Sequence, residues 1–521
     1  MRGLHWLRWI APVLVLGIAA ALRFWALGRP GVLVFDELYY VRDAISQLAH
    51  GFPTVWPDDD PSMAGGRATA FSDAPSNAVH PPLGKWLIGL GILVFGPDNG
   101  WGWRSAVALA GVATVGIVML LGWLLTRSLV MSWLAGLLLA IDGVHVVLTR
   151  VGLLDGFLTL FIAMGALFVW LDIEWSSRRA EGRLRTRQRP GGAAGRIGKS
   201  GPVLVWRPWL IAAGLAFGAA AAVKWSGLYP LAFFLVFVSL RDLLIRLRRC
   251  ERGAFWRSVL QAGLVAVSAL PAAALAYLAS WVGWITHPGG WARTPGTPWP
   301  AALVEYHAEM LAWHSTLTAP HPFQSHPLSW PLALVPTAMY EARWTEECPW
   351  HECVSGVSPL PNPLVTWGGA AALLVLAWLI VRQLLRSKRG FAAEAATAIS
   401  PLPLAGAFVL TGFLSGWLPW VLTFSRSAVF QFYAVVLTPF SALALAMVLG
   451  LLCGLPLRSG GGSRFVLALD GEPSAVLGRR IAVTVFLVVA AVLAVFFVPV
   501  WTGMPVADWF WQLHLWLPGW S

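Results

Sequence analysis

The sequence predicts an all-α polytopic membrane protein, on three observations. Of its 521 residues, 57% are apolar and 12% charged, with a mean hydropathy of +0.67, a balance foreign to soluble domains. Apolar runs near the roughly 20 residues needed to cross about 30 Å of hydrocarbon recur along nearly the whole chain. The basic residues gather in alternate connecting segments instead of forming one continuous surface.

Eleven spans are expected, over 9–27, 104–125, 132–149, 153–171, 209–224, 226–240, 258–280, 364–381, 402–421, 429–452 and 481–501. The first has the outline of a signal peptide, but Arg23 and Trp25 spoil a small-residue processing site, and the run is long enough to remain as an anchor. Many of the 32 Trp, including Trp6, Trp9, Trp206, Trp209, Trp281 and Trp284, lie near the ends of apolar runs. Amphipathic rings prefer the membrane–water interface, so anchoring explains most of them.

A formal charge of +12 raises the question of a nucleic-acid partner, and the placement of the charge answers it. With the N-terminus in the cytoplasm, 26 of the 37 Lys and Arg fall in cytoplasmic segments. The clusters Arg178 to Arg207, Arg241 to Arg257, Arg382 to Arg389 and Arg458 to Arg480 alternate with outer segments rich in Asp and Glu. That is the positive-inside pattern, so the basic balance reports orientation and no nucleic acid is expected. The expected location is the plasma membrane, with the chemistry on the extracytoplasmic face. Within the cytoplasmic loop 173–208, the Arg, Gly and Ala-rich stretch Ala180 to Pro202 reads as a flexible linker. No internal repeat is found.

Two outer segments, 28–103 and 281–363, are too long to be mere connectors, and long loops usually carry function. The first holds two expected surface helices, Glu37 to His50 and Pro82 to Phe95, and opens with the adjacent carboxylates Asp36 and Glu37. Neighbouring acids in a helix or turn point apart and suit two separate tasks. The same pair also reads as a plain helix start, with Asp36 as N-cap and Glu37 favoured by the dipole.

Ionisable residues near the outer ends of other spans shift the balance toward chemistry, because charge there is costly. They are Arg104, Arg150, Asp155, Lys224 and Arg426, four of them cations. Meeting at one membrane face, such cations suit a phosphate, diphosphate or carboxylate. Each alone also reads as a snorkelling anchor. His80-Pro81-Pro82 with Gly84-Lys85 forms a stiff turn that presents His80 and Lys85 at the interface, or else an ordinary helix start with a solvated Lys.

The second outer segment supplies His307, His314, His321 and His326 with Glu305 and Glu309, at spacings that share helix faces. No HExxH is formed, and no metal is expected. Cys348 and Cys353 bound the CPWHEC stretch in this segment, where a disulfide is chemically permitted, whereas Cys250 and Cys453 fall on the cytoplasmic, reducing side. A zinc pair with His351 is the rival reading of CPWHEC, and it lacks a second ligand pair at suitable spacing. There is no Walker loop, no dinucleotide fingerprint and no nucleophile elbow, which disfavours a soluble nucleotide donor. A membrane-embedded donor with a phosphate head fits better.

The chain resembles the bacterial branch of the protein O-mannosyltransferase family, the polyprenol-phosphate-mannose–protein mannosyltransferases. The stretches that carry the resemblance are FDELYYVRDA (35–44), VHPPLGKWLIGLG (79–91), FGPDNGWGWR (95–104), AIDGVHVVLTRVGLLDGFLTLF (140–161), AAVKWSGLYPL (221–231), LTAPHPFQSHPLSWPL (317–332), GWLPWVLTFSRSAVFQFYAVVLTPF (416–440) and WLPGW (516–520), in the family's order over nearly the full length. The resemblance implies a GT-C glycosyltransferase fold with about eleven transmembrane helices and inverting transfer of mannose from polyprenyl-phosphate-mannose to Ser or Thr of exported proteins. It implies no cofactor or bound divalent metal, the lipid-linked sugar being a substrate, and allows for association with the secretion machinery.

Residue by residue, the resemblance makes Asp36 the general base and Glu37 its partner in positioning acceptor or sugar. Arg104 falls on the family's essential Arg, Asp155 on a family acid, and Arg426 on the basic residue expected to touch phosphate. Lys224 and Arg150 join it as phosphate-binding candidates, while His80 and Lys85 lie in family motifs. Eukaryotic relatives insert a β-trefoil in the second outer segment, and 281–363 is too short for one. Two other readings remain: the same scaffold acting on a lipid or cell-wall glycan acceptor, and a transporter of lipid-linked sugar. The transporter reading expects repeats and midplane charges, against an interfacial acid pair and no repeats.

Overall fold

The computed structural model describes residues 7–187, 202–318, 320–387, 401–423, 426, 428–458, 463–467, 469 and 471–520. Most of the linker expected over Ala180 to Pro202 lies outside them, although the preceding helix continues to Arg187.

The chain is a helical bundle. Helix α1 (Leu7–Phe24) leads through a tight segment to the surface helix α2 (Glu37–His50), and α3 (Leu83–Phe95) follows after a long excursion. Then come α4 (Gly100–Thr126), α5 (Leu129–Ala140), α6 (Gly143–Leu148), α7 (Asp155–Arg187), α8 (Pro208–Val223), α9 (Leu228–Arg248) and α10 (Ala254–Ser280). Two further helices, α11 (Val282–Thr286) and α12 (Trp299–Thr316), lie in the second long segment. The bundle closes with α13 (Pro363–Ser387), α14 (Pro401–Val421), α15 (Thr438–Leu452) and α16 (Pro473–Thr502), followed by the short α17 (Asp508–Gln512).

Among the described residues, eight helices are long and apolar enough to cross a membrane: α4, α7, α9, α10, α13, α14, α15 and α16. The expected spans 9–27, 132–149 and 209–224 fall on shorter apolar helices. Span 132–149 is not one helix. It breaks at Ile141 and Asp142, where the Asp142 carboxylate accepts from the His145 backbone N–H at 2.9 Å and caps the new helix α6. The core runs through α4, α5, α7, α8 and α15, whose inward faces carry fully buried Val107, Leu138, Val169, Phe217 and Leu443. Helices α9, α10 and α16 instead expose apolar side chains such as Val236, Val267 and Val492, as lipid-facing helices do.

A small antiparallel sheet stands on the face that also carries α2 and α12. Strand β1 (Tyr340–Trp344) pairs with β2 (Cys353–Val357) in the register Tyr340 to Val357. After a separate two-residue pair, β3 (Leu457–Arg458) and β4 (Arg464–Phe465), the strand β5 (Val506–Ala507) joins the far edge of β2. A disulfide links Cys348 to Cys353 across the turn of the hairpin, and Arg343, near the turn end, reaches Glu341, Glu352 and Asp508. Both free thiols, Cys250 and Cys453, lie beyond helix ends away from this sheet.

Candidate active site

The site is assembled from breaks in helices. Between α8 and α9 the backbone turns extended at Lys224, φ −147° and ψ 141°, and a 3₁₀ turn over Trp225–Gly227 restarts the helix. Gly227 is required by close approach: a Cβ there would lie 2.5 Å from the backbone of Ala220 and Ala221. The break turns the Lys224 side chain inward, where its ammonium donates to the Asp155 carboxylate at 2.6 Å. Asp155 opens α7, so its charge sits at the positive end of a helix. The ammonium also lies 5.8, 5.3 and 5.1 Å from the ring centroids of Tyr40, Phe432 and Tyr433.

Lys224 and Asp155 line a cavity of about 220 Å³ together with His80, Trp225, Tyr229, His314, Trp420, Arg426 and Tyr433. Arg426 enters from the segment between α14 and α15. It donates from Nε to the Ala428 carbonyl at 2.9 Å, from one terminal nitrogen to Tyr433 Oη at 3.0 Å and from the other to His314 Nδ1 at 3.1 Å. That segment is tied to the second long segment by the bond from Ser325 N–H to the Val429 carbonyl.

Asp36 occupies the N-cap position of α2, yet its side chain caps nothing. Its carboxylate instead accepts from Tyr40 Oη at 3.1 Å, one turn along and toward Lys224. The helix-start reading is thereby separated from the chemical one, because the residue stands where a cap would stand and points elsewhere. Asp36 keeps intermediate exposure. Burial by the surrounding protein pushes its pKa up to about 6, against the opposing pull of Lys224 and Tyr40. His80 and His314 are both held neutral, well below the ordinary histidine value and at about 4, first by burial and then by nearby charged or basic groups.

Asp36 does not line the cavity itself, and four further expected site residues also lie outside its lining. Glu37 is fully buried and faces Arg104, with two contacts at 2.7 and 2.8 Å, and it accepts from the Val34 and Gly152 backbone N–H groups as well. Arg104 spends its remaining donors on the carbonyls of Leu27, Pro30 and Val32. Arg150 donates to the carbonyls of Leu22, Arg23 and Trp25, the last turn of α1. Neither arginine lines the cavity where Arg426 and Lys224 meet; both instead bind backbone carbonyls at the end of α1 and in the turn that follows it, ahead of Asp36. Glu37 likewise works on that turn. Lys85 is buried against Asp43 at 3.2 Å and donates to the His80 carbonyl at 3.0 Å, which sets the His80 backbone and keeps Lys85 off the interface.

Tyr40, Tyr433 and His314 were missed as site residues by reasoning from the sequence. Tyr40 had a signal, since it lies four residues after Asp36 on the same helix face. His314 was noticed only as one of several histidines. Among the described residues, no group of three or more His, Cys, Asp or Glu side chains is gathered where it could hold a metal ion.

Residues 84–189 match the family model described as dolichyl-phosphate-mannose-protein mannosyltransferase, and residues 300–520 match that of the C-terminal four-helix membrane region of protein O-mannosyltransferase. The curated polyprenol-phosphate-mannose–protein mannosyltransferase of Mycobacterium tuberculosis is 31% identical over 541 residues, covering 98% of this chain and 92% of that protein. Its counterpart from Mycolicibacterium smegmatis is 31% identical over 540 residues, covering 98% and 93%. Among solved structures, the protein O-mannosyltransferase Pmt1–Pmt2 complex of S. cerevisiae, bound to the sugar donor, superposes with a TM-score of 0.71 at 14% identity, over 99% of this chain and 92% of that one. At that identity the likeness speaks to the fold. The bundle is that of a membrane-embedded glycosyltransferase of the GT-C class. The chain belongs to the protein O-mannosyltransferase family, with the polyprenol-phosphate-mannose–protein mannosyltransferases as its relatives.

Proposed function

We propose that this chain transfers mannose from polyprenyl-phosphate-mannose to Ser or Thr hydroxyls of exported proteins, with inversion at the anomeric carbon. The observation that carries the reading is one cavity holding a guanidinium and an ammonium, with the Asp36 carboxylate outside its lining and hydrogen-bonded to Tyr40, whose ring centroid lies 5.8 Å from that ammonium. The acceptor oxygen attacks the anomeric carbon and its proton passes to the Asp36 carboxylate. The bond from that carbon to the phosphate oxygen breaks, and its electron pair leaves with the lipid phosphate. Arg426 and Lys224 offset the charge that develops there. Asp155 takes one of the three ammonium donors of Lys224, which lines the cavity. The reading requires no metal cofactor.

Orientation is part of the proposal. The Cys348–Cys353 disulfide stands on the face that bears the site, and disulfides persist in oxidising compartments. The site therefore faces out of the cytoplasm, at the plasma membrane, with the N-terminus inside.

The purified protein, given polyprenyl-phosphate-mannose, is expected to add a hexose to Ser or Thr of a Thr/Pro-rich peptide, read by mass spectrometry. Transfer to a lipid or glycan acceptor with none to peptide would replace the acceptor half of the proposal. The pH profile tests the base separately. A carboxylate with its pKa near 6 is charged above that value, so kcat/KM should rise about tenfold per pH unit below about 6 and level off above it. A profile flat from acid to neutral pH removes Asp36 as the base.

A further inference from the structure

His314 belongs to no catalytic assignment made above, yet its hydrogen bonds leave it no freedom. One ring nitrogen, Nε2, lies 2.8 Å from the Val79 carbonyl, which only accepts, so Nε2 carries the proton. The other, Nδ1, lies 3.1 Å from a terminal nitrogen of Arg426, which only donates, so Nδ1 is bare and accepts. The two partners together select one neutral tautomer.

The helix that carries the ring is pinned. Tyr306, Met310 and His314 lie four apart on one face of α12. Tyr306 is buried and exchanges hydrogen bonds with both the N–H and the carbonyl of Ala78, at 3.1 and 3.0 Å. His307 holds the neighbouring face: it donates from Nδ1 to the Leu303 carbonyl at 2.7 Å and accepts at Nε2 from Tyr277 Oη at 2.6 Å. Tyr277 in turn accepts from the Trp225 indole at 3.0 Å, beside Lys224. The register of α12 is thus set from the first long segment and from α10, and His314 is delivered to the cavity wall in a fixed pose. Its ring centroid lies 5.1 Å from that of His80, the planes tilted by 32°, with the Trp313 ring edge-on at 5.0 Å.

We propose that His314 is the positioning residue for Arg426: its unprotonated Nδ1 holds one arm of the guanidinium, while Tyr433 holds the other, so that the group meets the leaving phosphate in one orientation. A guanidinium on a flexible stem loses rotamer entropy when it is aimed, and an acceptor that aims it beforehand removes that cost from the transition state. Being neutral, His314 does this without repelling its partner. The inference rests on the reading of Arg426 as the phosphate ligand and adds to it the group through which Arg426 is held.

A double-mutant cycle tests it, with turnover counted per folded molecule and thermal unfolding recorded for each variant. Arg426→Ala is expected to lower kcat about 10²-fold. His314→Phe, which keeps a ring but neither nitrogen, is expected to lower it about 10–10²-fold. The double variant should fall no further than Arg426→Ala alone, because His314 acts only through the arginine. His314→Asn, which returns an acceptor near the position of Nδ1, should recover most of the loss. Should the Phe variant not fold, His314→Leu carries the same cycle. If the two losses multiply in the double variant, or if His314→Asn is as impaired as His314→Phe, the positioning role is overturned while Arg426 keeps its own. If Arg426→Ala turns over like the wild type, the phosphate reading of Arg426 fails instead, and the inference fails with it.

Discussion

Asp36→Asn is expected to lower kcat about 10²–10⁴-fold while leaving the fold and donor binding in place. The amide is the same size as the carboxylate and can still accept from Tyr40 Oη, now 3.1 Å away. The side chain caps no helix N–H, so α2 loses no capping bond. What disappears is the ability to take a proton at about neutral pH. Removing the negative charge beside Lys224 favours, if anything, the binding of an anionic lipid phosphate. Thermal unfolding and donor affinity should therefore stay near wild type while mannose transfer to a Thr/Pro-rich peptide collapses. Wild-type turnover would remove Asp36 from the mechanism. A large fall in donor affinity would place it in binding instead of proton transfer.

The bundle was legible because its signal is compositional and repeated: apolar runs, Trp at their ends and Arg between them all follow from the hydrocarbon layer. The break at Ile141 and Asp142 was not, because the run 132–149 stays apolar through it and only a capping carboxylate marks the new start. Half of the candidate site was legible for a different reason. Charge at span ends is costly, and of the residues singled out on that ground Lys224, Asp155 and Arg426 meet in one cavity. But the cost of a buried cation is met equally by a phosphate and by backbone carbonyls, and a sequence does not record which carbonyls come near. Arg104 and Arg150 took the second solution, on the irregular backbone that follows α1. In the same way one histidine among the six of segment 281–363 cannot be told apart until α12 is docked and the arginine arrives from a segment more than a hundred residues away.

That division leads to the second large effect. Glu37→Gln is expected to destabilise the protein by about 3–5 kcal/mol, the usual cost of leaving one partner of a buried ion pair uncompensated. Arg104 is 1% exposed and Glu37 fully buried, so neither charge has water to fall back on. Glutamine retains one acceptor oxygen, but its amide donors would face the guanidinium, and two of the four donors now directed at the carboxylate, from Val34, Gly152 and Arg104, would lose their partner. Arg104→Ala should cost a similar amount, because it strands the carboxylate and frees the carbonyls of Leu27, Pro30 and Val32. Pairing the two substitutions, Glu37→Gln with Arg104→Met, should cost less than the sum of the single losses, since no lone charge is left behind. The measurements that separate this from a catalytic role are the midpoint of thermal unfolding in detergent and turnover per folded molecule. The midpoint should drop by several degrees while the folded fraction transfers mannose within a few-fold of wild type. A Glu37→Gln protein that unfolds at the wild-type temperature yet is inactive would return Glu37 to the chemistry, and with it the idea that both members of the acid pair face the substrate.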